Sequence, residues 1–329
     1  MTAYAIGIDL GGTNLRAALF RDPLELLARP GADSAIEPVR HHRELTGDDR
    51  GPEIIADRLA RLVFDIASDV DDTVPVGIGF AGMLRGHEGV VAQSPHLHWR
   101  DVALGDLMRA RLGPRFPVGI YNDVNAITYG EHVVGAGRGA RDLLAVFVGT
   151  GVGGGIVAGG ELITGSDHCA AEIGHMKVVL GDDARLCACG LRGCVEAYAG
   201  GSFLERRVRD ELAAGASSRA VDLGGGPDHV RLSHVDVAAA GGDAYALALY
   251  AEVAPLLGAT LANAVTLLNP QRLILGGGVL SRTPVLREQV VAAFEAYCNP
   301  PALASVEVTT AALGDDAGIV GSALLAARP

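Results

Sequence analysis

Short apolar runs alternate with longer segments of helical periodicity along this chain. A short, continuous apolar run bounded by turn residues is typical of a buried strand. Residues 53–68 instead place their apolar side chains on one helical face, as an amphipathic helix does. The pattern therefore predicts mixed strands and helices. We expect strands over residues 4–8, 15–20, 74–80, 118–121, 143–148, 156–158, 272–275 and 306–309, and helices over residues 53–68, 104–112, 201–213, 234–241, 243–268, 318–327 and within 281–298.

Polar stretches interrupt this pattern, and we expect residues 31–52, 93–99 and 214–228 to be loops. Two long stretches carry no charge. Residues 143–160 are too rich in glycine to hold a helix in lipid. Residues 253–271 contain a proline and two asparagines, so they are better explained as a buried core helix. We therefore expect no transmembrane segment and no membrane partner.

A glycine turn follows the first predicted strand. Asp9-Leu10-Gly11-Gly12-Thr13-Asn14 separates two apolar runs, so we expect a hairpin whose turn amides face a phosphate. The G-x-x-x-x-G-K-[ST] pattern of a P-loop is missing, and a plain hairpin turn is the alternative. Asp9 leaves the strand pointing at the turn, where it could hold Mg²⁺ or its waters.

Two further glycine clusters follow predicted strands. Gly149-Thr150-Gly151-Val152-Gly153-Gly154-Gly155 resembles the first turn, which suggests a weak internal duplication of a phosphate-binding unit. It also matches G-x-G-x-x-G, but Gly159 and Gly160 follow too soon for the helix that a dinucleotide site requires. Gly276, Gly277 and Gly278 follow the strand over residues 272–275. They would let the backbone approach a flat ligand closely, or they form a simple turn.

Three cysteines and a histidine have the spacing of a metal site. Cys187, Cys189 and Cys194 form a C-x-C-x4-C array, and His175 lies twelve positions before it. Thiolate and imidazole are the ligands that tetrahedral Zn²⁺ prefers, and a Cys₃His set closes the coordination sphere, so we expect a structural zinc ion. Unligated thiols and an ordinary buried histidine are the alternative. The glycines between the cysteines favour a chelating turn.

Polar residues around this array are candidates for substrate binding. We expect the zinc ion to bring Glu172, His175 and Glu196 to one wall of a pocket. Asn122 and Asp123 come directly after a predicted strand. Taken singly, Asp123 could be an Asx-turn residue, and the glutamates could lie on a solvated face. Taken together with the metal array, they favour a binding site.

Composition and charge exclude several classes of protein. The chain has 329 residues, of which 49% are hydrophobic and 20% charged, enough for two domains with substantial cores. The net charge of -12 and the lack of basic clusters exclude a phosphate-backbone interface, so we expect no nucleic-acid partner. Five cysteines, three of them in the array, do not form a disulfide framework, and a reducing, cytoplasmic compartment fits.

Assembled in order, the motifs make the chain resemble sugar kinases of the ROK family, most closely its bacterial ATP-dependent glucokinase branch. The resemblance runs nearly end to end. It rests on His175 with the C-x-C-G-x-x-G-C-x-E array, on the Asn122-Asp123 pair and on the Asp9-Leu10-Gly11-Gly12-Thr13 opening. The family has an α/β, actin-like and hexokinase-like (ribonuclease H-like) fold, with two domains around a cleft and a zinc site. The resemblance implies a small domain over residues 1–121, rejoined by residues 312–329, and a large domain over residues 122–311.

The resemblance also implies a role for each motif, with Asp123 as the catalytic base. The sugar would be bound by Ala81, Gly82, Asn122, Asp123, Glu172, His175 and Glu196. ATP and its Mg²⁺ would be bound by Asp9, Gly11, Gly12, Thr13, Asn14, Gly149, Thr150, Gly151, Gly153, Gly154, Gly276, Gly277 and Gly278. Zinc would be bound by His175, Cys187, Cys189 and Cys194.

The implied activity is phosphorylation of an aldohexose at O6, with glucose as the first choice. N-acetylmannosamine, N-acetylglucosamine, fructose and allose remain open as alternative substrates. The loop Pro95-His96-Leu97-His98-Trp99 has His96 where glucokinases of this type often have asparagine, which leaves the sugar preference open. A sugar-responsive regulator is less favoured, since the chain is acidic and the phosphate strand starts at Tyr4. The family is often dimeric or tetrameric, so a homodimer or homotetramer is implied.

Overall fold

The computed structural model, which describes residues 4–23, 36–86 and 88–328, has three sheets, and all the predicted strands lie in the first two. The first sheet has the order β3-β2-β1-β4-β8, the second β11-β10-β9-β12-β13 and the third β5-β6-β7. The strands are β1 (Tyr4–Leu10), β2 (Asn14–Arg21), β3 (Pro38–Leu45), β4 (Val76–Phe80), β5 (Met83–Arg85), β6 (Val90–Ser94), β7 (Trp99–Val102), β8 (Val118–Asn122), β9 (Leu143–Val148), β10 (Val152–Ala158), β11 (Glu161–Ile163), β12 (Arg272–Gly276) and β13 (Glu307–Thr310).

The described helices include every helix that the periodicity predicts. The α-helices are α1 (Pro52–Ile66), α2 (Leu104–Leu112), α3 (Asp123–Val133), α4 (Glu196–Ala199), α5 (Gly201–Ala213), α6 (Ala220–Gly224), α7 (Leu232–Ala240), α8 (Ala244–Leu268), α9 (Gly278–Arg282), α10 (Pro284–Tyr297), α11 (Pro300–Ser305) and α12 (Ala317–Ala327). Short 3₁₀ helices cover Ile173–His175, Pro227–His229 and Gly314–Asp316.

The chain divides into two compact units. The first unit comprises Met1–Arg141, Gly155–Ala171 and Ala311–Pro329, and the second comprises Asp142–Gly154 and Glu172–Thr310. This division falls later in the chain than residue 121, where the resemblance places the domain boundary. The reason is that α3 packs on α12 through a buried cluster that contains Ala126, Tyr129 and Ala323.

The sheet of the first unit brings the ends of three parallel strands together. β1 pairs in parallel with β4, and β4 with β8. Leu10 lies beside Phe80, and Phe80 lies beside Asn122. The carboxyl ends of β1, β4 and β8 therefore meet at one edge, which is where open α/β sheets bind their ligands.

Side-chain alternation along β1 divides the core of the first unit into two layers. Ile6, Ile8 and Leu10 belong to the buried cluster that includes α1 and α2, whereas Ala5 belongs to the cluster with α3 and α12. On the second face, a Cβ at Gly7 would lie 1.8 Å from the Ile319 carbonyl oxygen. Glycine is thus required there for α12 to approach the sheet so closely.

Three polar stretches that we expected to be loops contain regular structure. β3 lies within residues 31–52, of which 31–35 are outside the described residues; it is polar because it is an exposed edge strand held by backbone pairing to β2. Residues 93–99 hold the end of β6 and the start of β7, which pair with each other. Residues 214–228 contain α6 and a 3₁₀ helix, and Asp243 accepts a hydrogen bond from the Arg219 N–H before α6 (2.8 Å). Backbone and tertiary contacts, rather than apolar periodicity, order these segments.

The long helix of the second unit, α8, begins after Asp243, whose side chain accepts a hydrogen bond from the Ala246 N–H (2.9 Å). Pro255 lies inside the helix. Among the described helices, α8 is long and apolar enough to cross a membrane by length and composition alone. Half of the most apolar part of α8 is buried inside the protein, and α8 packs on α10. This is the behaviour of the core helix that the sequence predicts.

The contact of β4 with α12 gives a matched pair of predictions. A Cβ at Gly77 would lie 1.9 Å from the backbone oxygen of Ser322, whereas a Cβ at Gly79 would lie 2.7 Å from the Ser322 hydroxyl. That hydroxyl has no partner among the described residues and can rotate away. We expect Gly77→Ala to reduce the free energy of unfolding by roughly 3 kcal/mol and Gly79→Ala by about 1 kcal/mol, measured by urea unfolding. Equal losses would show that α12 does not approach the strand as described.

Candidate active site and metal centre

The first glycine turn joins β1 to β2 and is held by a residue that the sequence did not single out. The Gly11 N–H donates to the Asn14 carbonyl (3.0 Å). The buried Thr46 donates its hydroxyl to the Gly11 carbonyl (2.7 Å) and its N–H to the Thr13 carbonyl (2.9 Å). Thr46 follows β3, which we expected to be a loop because its residues are polar. The role of Thr46 in the turn could therefore not be recognised from the sequence.

His96 lies beside this turn. A Cβ at Gly12 would be only 2.6 Å from the His96 Cβ, so the two residues are in close contact. The imidazole is exposed, and the Arg50 side chain donates to the His96 carbonyl (2.5 Å). The residue that departs from the family pattern therefore packs against the candidate phosphate turn of the same unit.

Asp9 is placed at the end of β1 by strand pairing. It lies directly opposite Arg16 on β2, and its carboxylate is beside Gly318 in α12, where a Cβ would be 3.4 Å from Oδ2. The Arg16 guanidinium also approaches the Asp315 carboxylate (3.6 Å). Burial raises the pKa of Asp9 to about 6; Arg16 opposes this shift and Asp315 adds to it. A carboxylate that is costly to ionise here is suited to a cation or its bound waters.

Two other candidate segments follow strands at the same edge. Asn122, the last residue of β8, accepts a hydrogen bond from the Asn125 N–H (3.0 Å) and caps α3. Its side-chain amide donates to the Gly82 carbonyl (3.2 Å), which ties it to the Ala81-Gly82 segment after β4. Asp123 opens α3, and its Oδ1 accepts from the Val124 N–H (3.0 Å). The first unit thus brings together Asp9, the glycine turn, Ala81, Gly82, Asn122 and Asp123.

The second glycine turn connects β9 to β10. The Gly149 N–H donates to the Gly151 carbonyl (2.9 Å), which closes the turn. The N–H groups of Gly201 and Ser202, in the first turn of α5, donate to the carbonyls of Gly149 and Thr150 (both 2.9 Å). Gly153 and Gly154 lie within β10. The turn is therefore anchored to the start of a helix.

The third glycine cluster lies at the same edge of the second sheet. Gly276 ends β12 in parallel register with Phe147 of β9. Gly277 has a left-handed φ of 88°, and a Cβ there would be 2.4 Å from the Val148 carbonyl oxygen, so only glycine fits. A cavity of about 240 Å³ opens beside Gly149, Thr150 and Gly278. No sequence pattern indicates its other polar lining residues, since they come from separate helices and from the residues beside them: Ser202, Glu205, Arg231, Ser233, Arg282 and Thr283.

The four predicted metal ligands form one cluster in the second unit. The ligand atoms of His175, Cys187, Cys189 and Cys194 all lie within 4.8 Å of one another. The Cys187 Sγ is 3.7 Å from the His175 Nδ1, and the Cys189 and Cys194 Sγ atoms are 3.7 Å apart. Tetrahedral zinc with Zn–S bonds of about 2.3 Å needs sulfurs about 3.8 Å apart. The donor set and its spacing therefore fit Zn²⁺ with no open coordination position.

The glycines and a lysine around the cluster support this geometry. Gly190 and Gly193 have φ values of 86° and 81°, the left-handed conformation that the chelating turns require. The Lys177 Nζ lies 2.9 Å from the Cys194 Sγ. A Cys₃His zinc site carries one net negative charge, which this ammonium group partly offsets.

Two carboxylates lie against the metal cluster. The Glu172 Oε2 is 3.8 Å from the His175 Nε2, and the Glu196 Oε1 is 3.7 Å from the Cys187 Sγ. Burial raises the pKa of Glu172; His175 opposes the shift and Glu196 adds to it. The second unit thus brings together the three residues that we expected to form one wall. The predicted site residues fall into two groups, one on each unit.

Comparison with known proteins agrees with these features. The model of the ROK family matches residues 5–328. A glucokinase from Thermotoga maritima is 34% identical over 323 residues, which cover 97% of this chain and 95% of that protein. An N-acetylmannosamine kinase from Escherichia coli O157:H7 is 32% identical over 98% of this chain and 97% of its own. A solved ROK family glucokinase from Streptomyces griseus, in complex with glucose and AMPPNP, matches with a TM-score of 0.76 and 34% identity over 98% of this chain and 99% of its own. The hexokinase-like fold class expected from the resemblance is confirmed.

Burial of Asp9 gives a prediction on stability. Because its pKa is raised from 3.8 to about 6, the folded chain binds a proton more tightly than the unfolded chain between these values. The free energy of unfolding therefore falls as the pH rises through this window. Asp9→Asn cannot ionise, so we expect it to be more stable than the natural chain at pH 7.5 by the order of 1 kcal/mol, with a smaller gain at pH 4.5. Thermal unfolding at both pH values measures the difference, and Asp71→Asn, at an exposed site, is the control. A gain that does not grow with pH would contradict the burial of a charged Asp9.

Proposed function

The chain belongs to the ROK family, and we propose that it transfers the γ-phosphoryl group of ATP to O6 of an aldohexose, with glucose as the preferred sugar. The observation that carries this proposal lies within one sheet. A carboxylate, Asp123, opens a helix at the same edge where Asp9 and the first glycine turn end β1. A base and a phosphate-binding turn at one edge are the two parts that phosphoryl transfer to a hydroxyl requires.

Asp123 acts as the base in this proposal. The sugar O6 forms a bond to the γ-phosphorus, the bond from that phosphorus to the bridging oxygen of ADP breaks, and the O6 proton passes to the Asp123 carboxylate. The transition state is loose, so the proton leaves late and a carboxylate of ordinary basicity suffices. The Val124 N–H holds one carboxylate oxygen, which orients the other. ADP and a sugar 6-phosphate are the products.

In this proposal the sugar is bound by side chains and backbone groups that can form hydrogen bonds to several of its hydroxyl groups. Asn122, His175, Glu172 and Glu196 supply donors and acceptors, and Ala81 and Gly82 supply backbone. Carboxylates make charge-assisted hydrogen bonds to hydroxyl groups. Burial raises the pKa of Glu172, which means that its ionised carboxylate is poorly solvated. A sugar without the hydroxyl group that pairs with Glu172 would leave this carboxylate without that hydrogen bond. A site built to bond a hydroxyl group discriminates against analogues that lack it, because its polar groups are then left without that partner.

The donor is bound by the glycine clusters. The first glycine turn (Gly11, Gly12, Thr13 and Asn14) and the Gly149–Gly154 turn are the proposed phosphate-binding segments. The Gly11 and Gly149 N–H groups close the turns themselves, so the amides of Gly12, Thr13, Thr150 and Gly151 are the candidates. Gly276, Gly277 and Gly278, with the cavity beside them, accept adenosine. Mg²⁺, when bound with ATP, neutralises charge on the phosphates, and Asp9 is the residue that would face it.

Zinc is proposed as a structural ion on His175, Cys187, Cys189 and Cys194. It supplies no chemistry to the transfer; the four residues use all its coordination positions. Reduced thiols are needed to hold it, so we place the chain in a reducing compartment, the cytoplasm. Its partners are then ATP, the sugar and further copies of itself as a homodimer or homotetramer, with no nucleic acid and no membrane.

N-acetylmannosamine is the second candidate substrate. A kinase for this sugar is 32% identical over nearly the full length. His96, which packs against the glycine turn, occupies a position at which the glucokinase branch often has asparagine. N-acetylglucosamine, fructose and allose are less favoured alternatives, and no feature of the described residues selects them.

A coupled assay of ADP release tests the proposal. Purified enzyme with MgATP is given glucose, mannose, fructose, allose, N-acetylglucosamine or N-acetylmannosamine. We expect kcat/KM for glucose to exceed that for every other sugar by at least tenfold. A preference for N-acetylmannosamine would retain the mechanism and change the substrate. No turnover with any sugar would overturn the assignment as a hexose kinase.

Asp123→Asn tests the base. Asparagine keeps an oxygen that can accept from the Val124 N–H, but it cannot take the proton. We expect kcat to fall by about 10²–10⁴-fold while the Kd for glucose changes little, measured by steady-state kinetics and calorimetry. Asp106→Asn is the matched control because Asp106 also lies in the first turn of a helix, α2, where it is exposed and pairs with Arg109 of the same helix. Near-normal kcat in Asp123→Asn would exclude this residue as the base.

A further inference from the structure

The two oxygens of the Glu196 carboxylate face different neighbours: Oε2 contacts the glycine turn after β9, and Oε1 lies beside the metal cluster. We propose that Glu196 is a positioning residue for the donor-phosphate turn, and that the metal cluster sets nucleotide affinity through it. This inference rests on the proposed function, because it takes the Gly149–Gly154 turn as the donor site. It adds that the metal cluster serves the donor as well as the sugar.

The first observation is the contact of the Glu196 side chain with the turn. Its Oε2 accepts a hydrogen bond from the Val152 N–H at 2.9 Å. A Cβ at Gly151 would lie 2.3 Å from the same oxygen and 3.2 Å from the carboxyl carbon. The carboxylate therefore packs directly against the backbone of the turn, and glycine at position 151 leaves room for it.

The second observation is that the chain following Glu196 holds the other end of the turn. The Gly200 N–H donates to the Glu196 carbonyl (2.8 Å), and the next two N–H groups, of Gly201 and Ser202, donate to the Gly149 and Thr150 carbonyls (both 2.9 Å). One short segment thus grips both sides of the turn. A shift of this segment would move the amides that face the phosphates.

The third observation is that the metal ligands fix the start of this segment. Glu196 follows Cys194 by two positions, and the Ala197 N–H donates to the Cys194 carbonyl (3.0 Å). The Glu196 Oε1 lies 3.7 Å from the Cys187 Sγ. With Cys187 and Cys194 bound to one ion, the backbone that carries Glu196 is restrained; without the ion, the two cysteines are joined only through backbone contacts such as the bridge between Leu186 and Arg192.

Glu172 provides a natural contrast. It also lies at the cluster, with Oε2 3.8 Å from the His175 Nε2. Within the described parts of the chain, however, no hydrogen bond joins the Glu172 side chain to the turn. If both glutamates served only the sugar, their removal would have the same effect on nucleotide binding.

Calorimetric titration with MgADP in the absence of sugar separates the two roles. We expect Glu196→Ala to raise the Kd for MgADP at least tenfold, and Glu172→Ala to leave it within twofold of the natural chain. Glu196→Gln keeps an oxygen that can accept from the Val152 N–H, so it should restore the Kd to within about threefold. All three variants are loaded with zinc, checked by metal analysis, before titration.

Metal removal provides an independent arm. Cys194→Ser should lose zinc and raise the Kd for MgADP as much as Glu196→Ala does. Adding Glu196→Ala to Cys194→Ser should cause little further loss, because both changes act through one contact. If Glu196→Ala fails to fold, Gly151→Ala replaces it, since its Cβ displaces the carboxylate from the turn.

The outcomes distinguish this inference from the proposed function. Unchanged MgADP affinity in Glu196→Ala, or in Gly151→Ala, would overturn the positioning role. Equal losses in Glu172→Ala and Glu196→Ala would also overturn it, by showing a general effect of the cluster. Absence of MgADP binding by the natural chain would instead remove the donor site on which the proposed function depends.

Discussion

The candidate chemistry of this protein depends on where parallel strands end. β1, β4 and β8 stop in register, so Asp9, Gly82 and Asp123 lie together at one edge of a sheet. β9 and β12 do the same in the second unit, where each strand is followed by glycines. Parallel strands are joined by long crossover connections. Parallel pairing therefore brings residues that are far apart in the sequence to one edge of the sheet. Each unit thereby presents polar groups without interrupting its core.

These groups are maintained at some cost in stability. Burial raises the pKa values of Asp9 and Glu172, so ionising each carboxyl group costs more in the folded chain than in the unfolded chain. A third carboxylate, Glu131, has a different role in the same fold. It is fully buried, yet its carboxylate accepts hydrogen bonds from the N–H groups of Ala136, Ala312 and Leu313 at 2.7–2.9 Å. A satisfied carboxylate supports structure, whereas Asp9 and Glu172 retain capacity for ligands.

Several of the proposed roles converge on the metal-ligand cluster, in a short part of the second unit. Its ligands lie within 4.8 Å of one another, and a carboxylate at its border bonds to the glycine turn. A closed metal site has no reactive position, so its value lies in restraining the chain that carries Glu172, His175 and Glu196. The proposed roles of sugar wall and donor turn then share one rigid support. In such an arrangement a change in metal occupancy would affect both substrates.

The sequence by itself determined the buried strands, the long helices, the three glycine clusters and the grouping of His175 with three cysteines, because apolar periodicity, glycine and cysteine spacing are local properties. Its motifs also indicated the family, which the comparisons confirm. Only the tertiary structure revealed β3 and the β6–β7 pair, whose polar residues are ordered by backbone pairing. It alone showed Thr46 under the first turn and the helices that line the cavity at Gly278. The bond from Glu196 to Val152 joins residues 44 positions apart, and no local pattern specifies such a contact. Features that depend on residues close together in the sequence could be predicted from it. Contacts between residues that are distant in the sequence could be identified only from the tertiary structure.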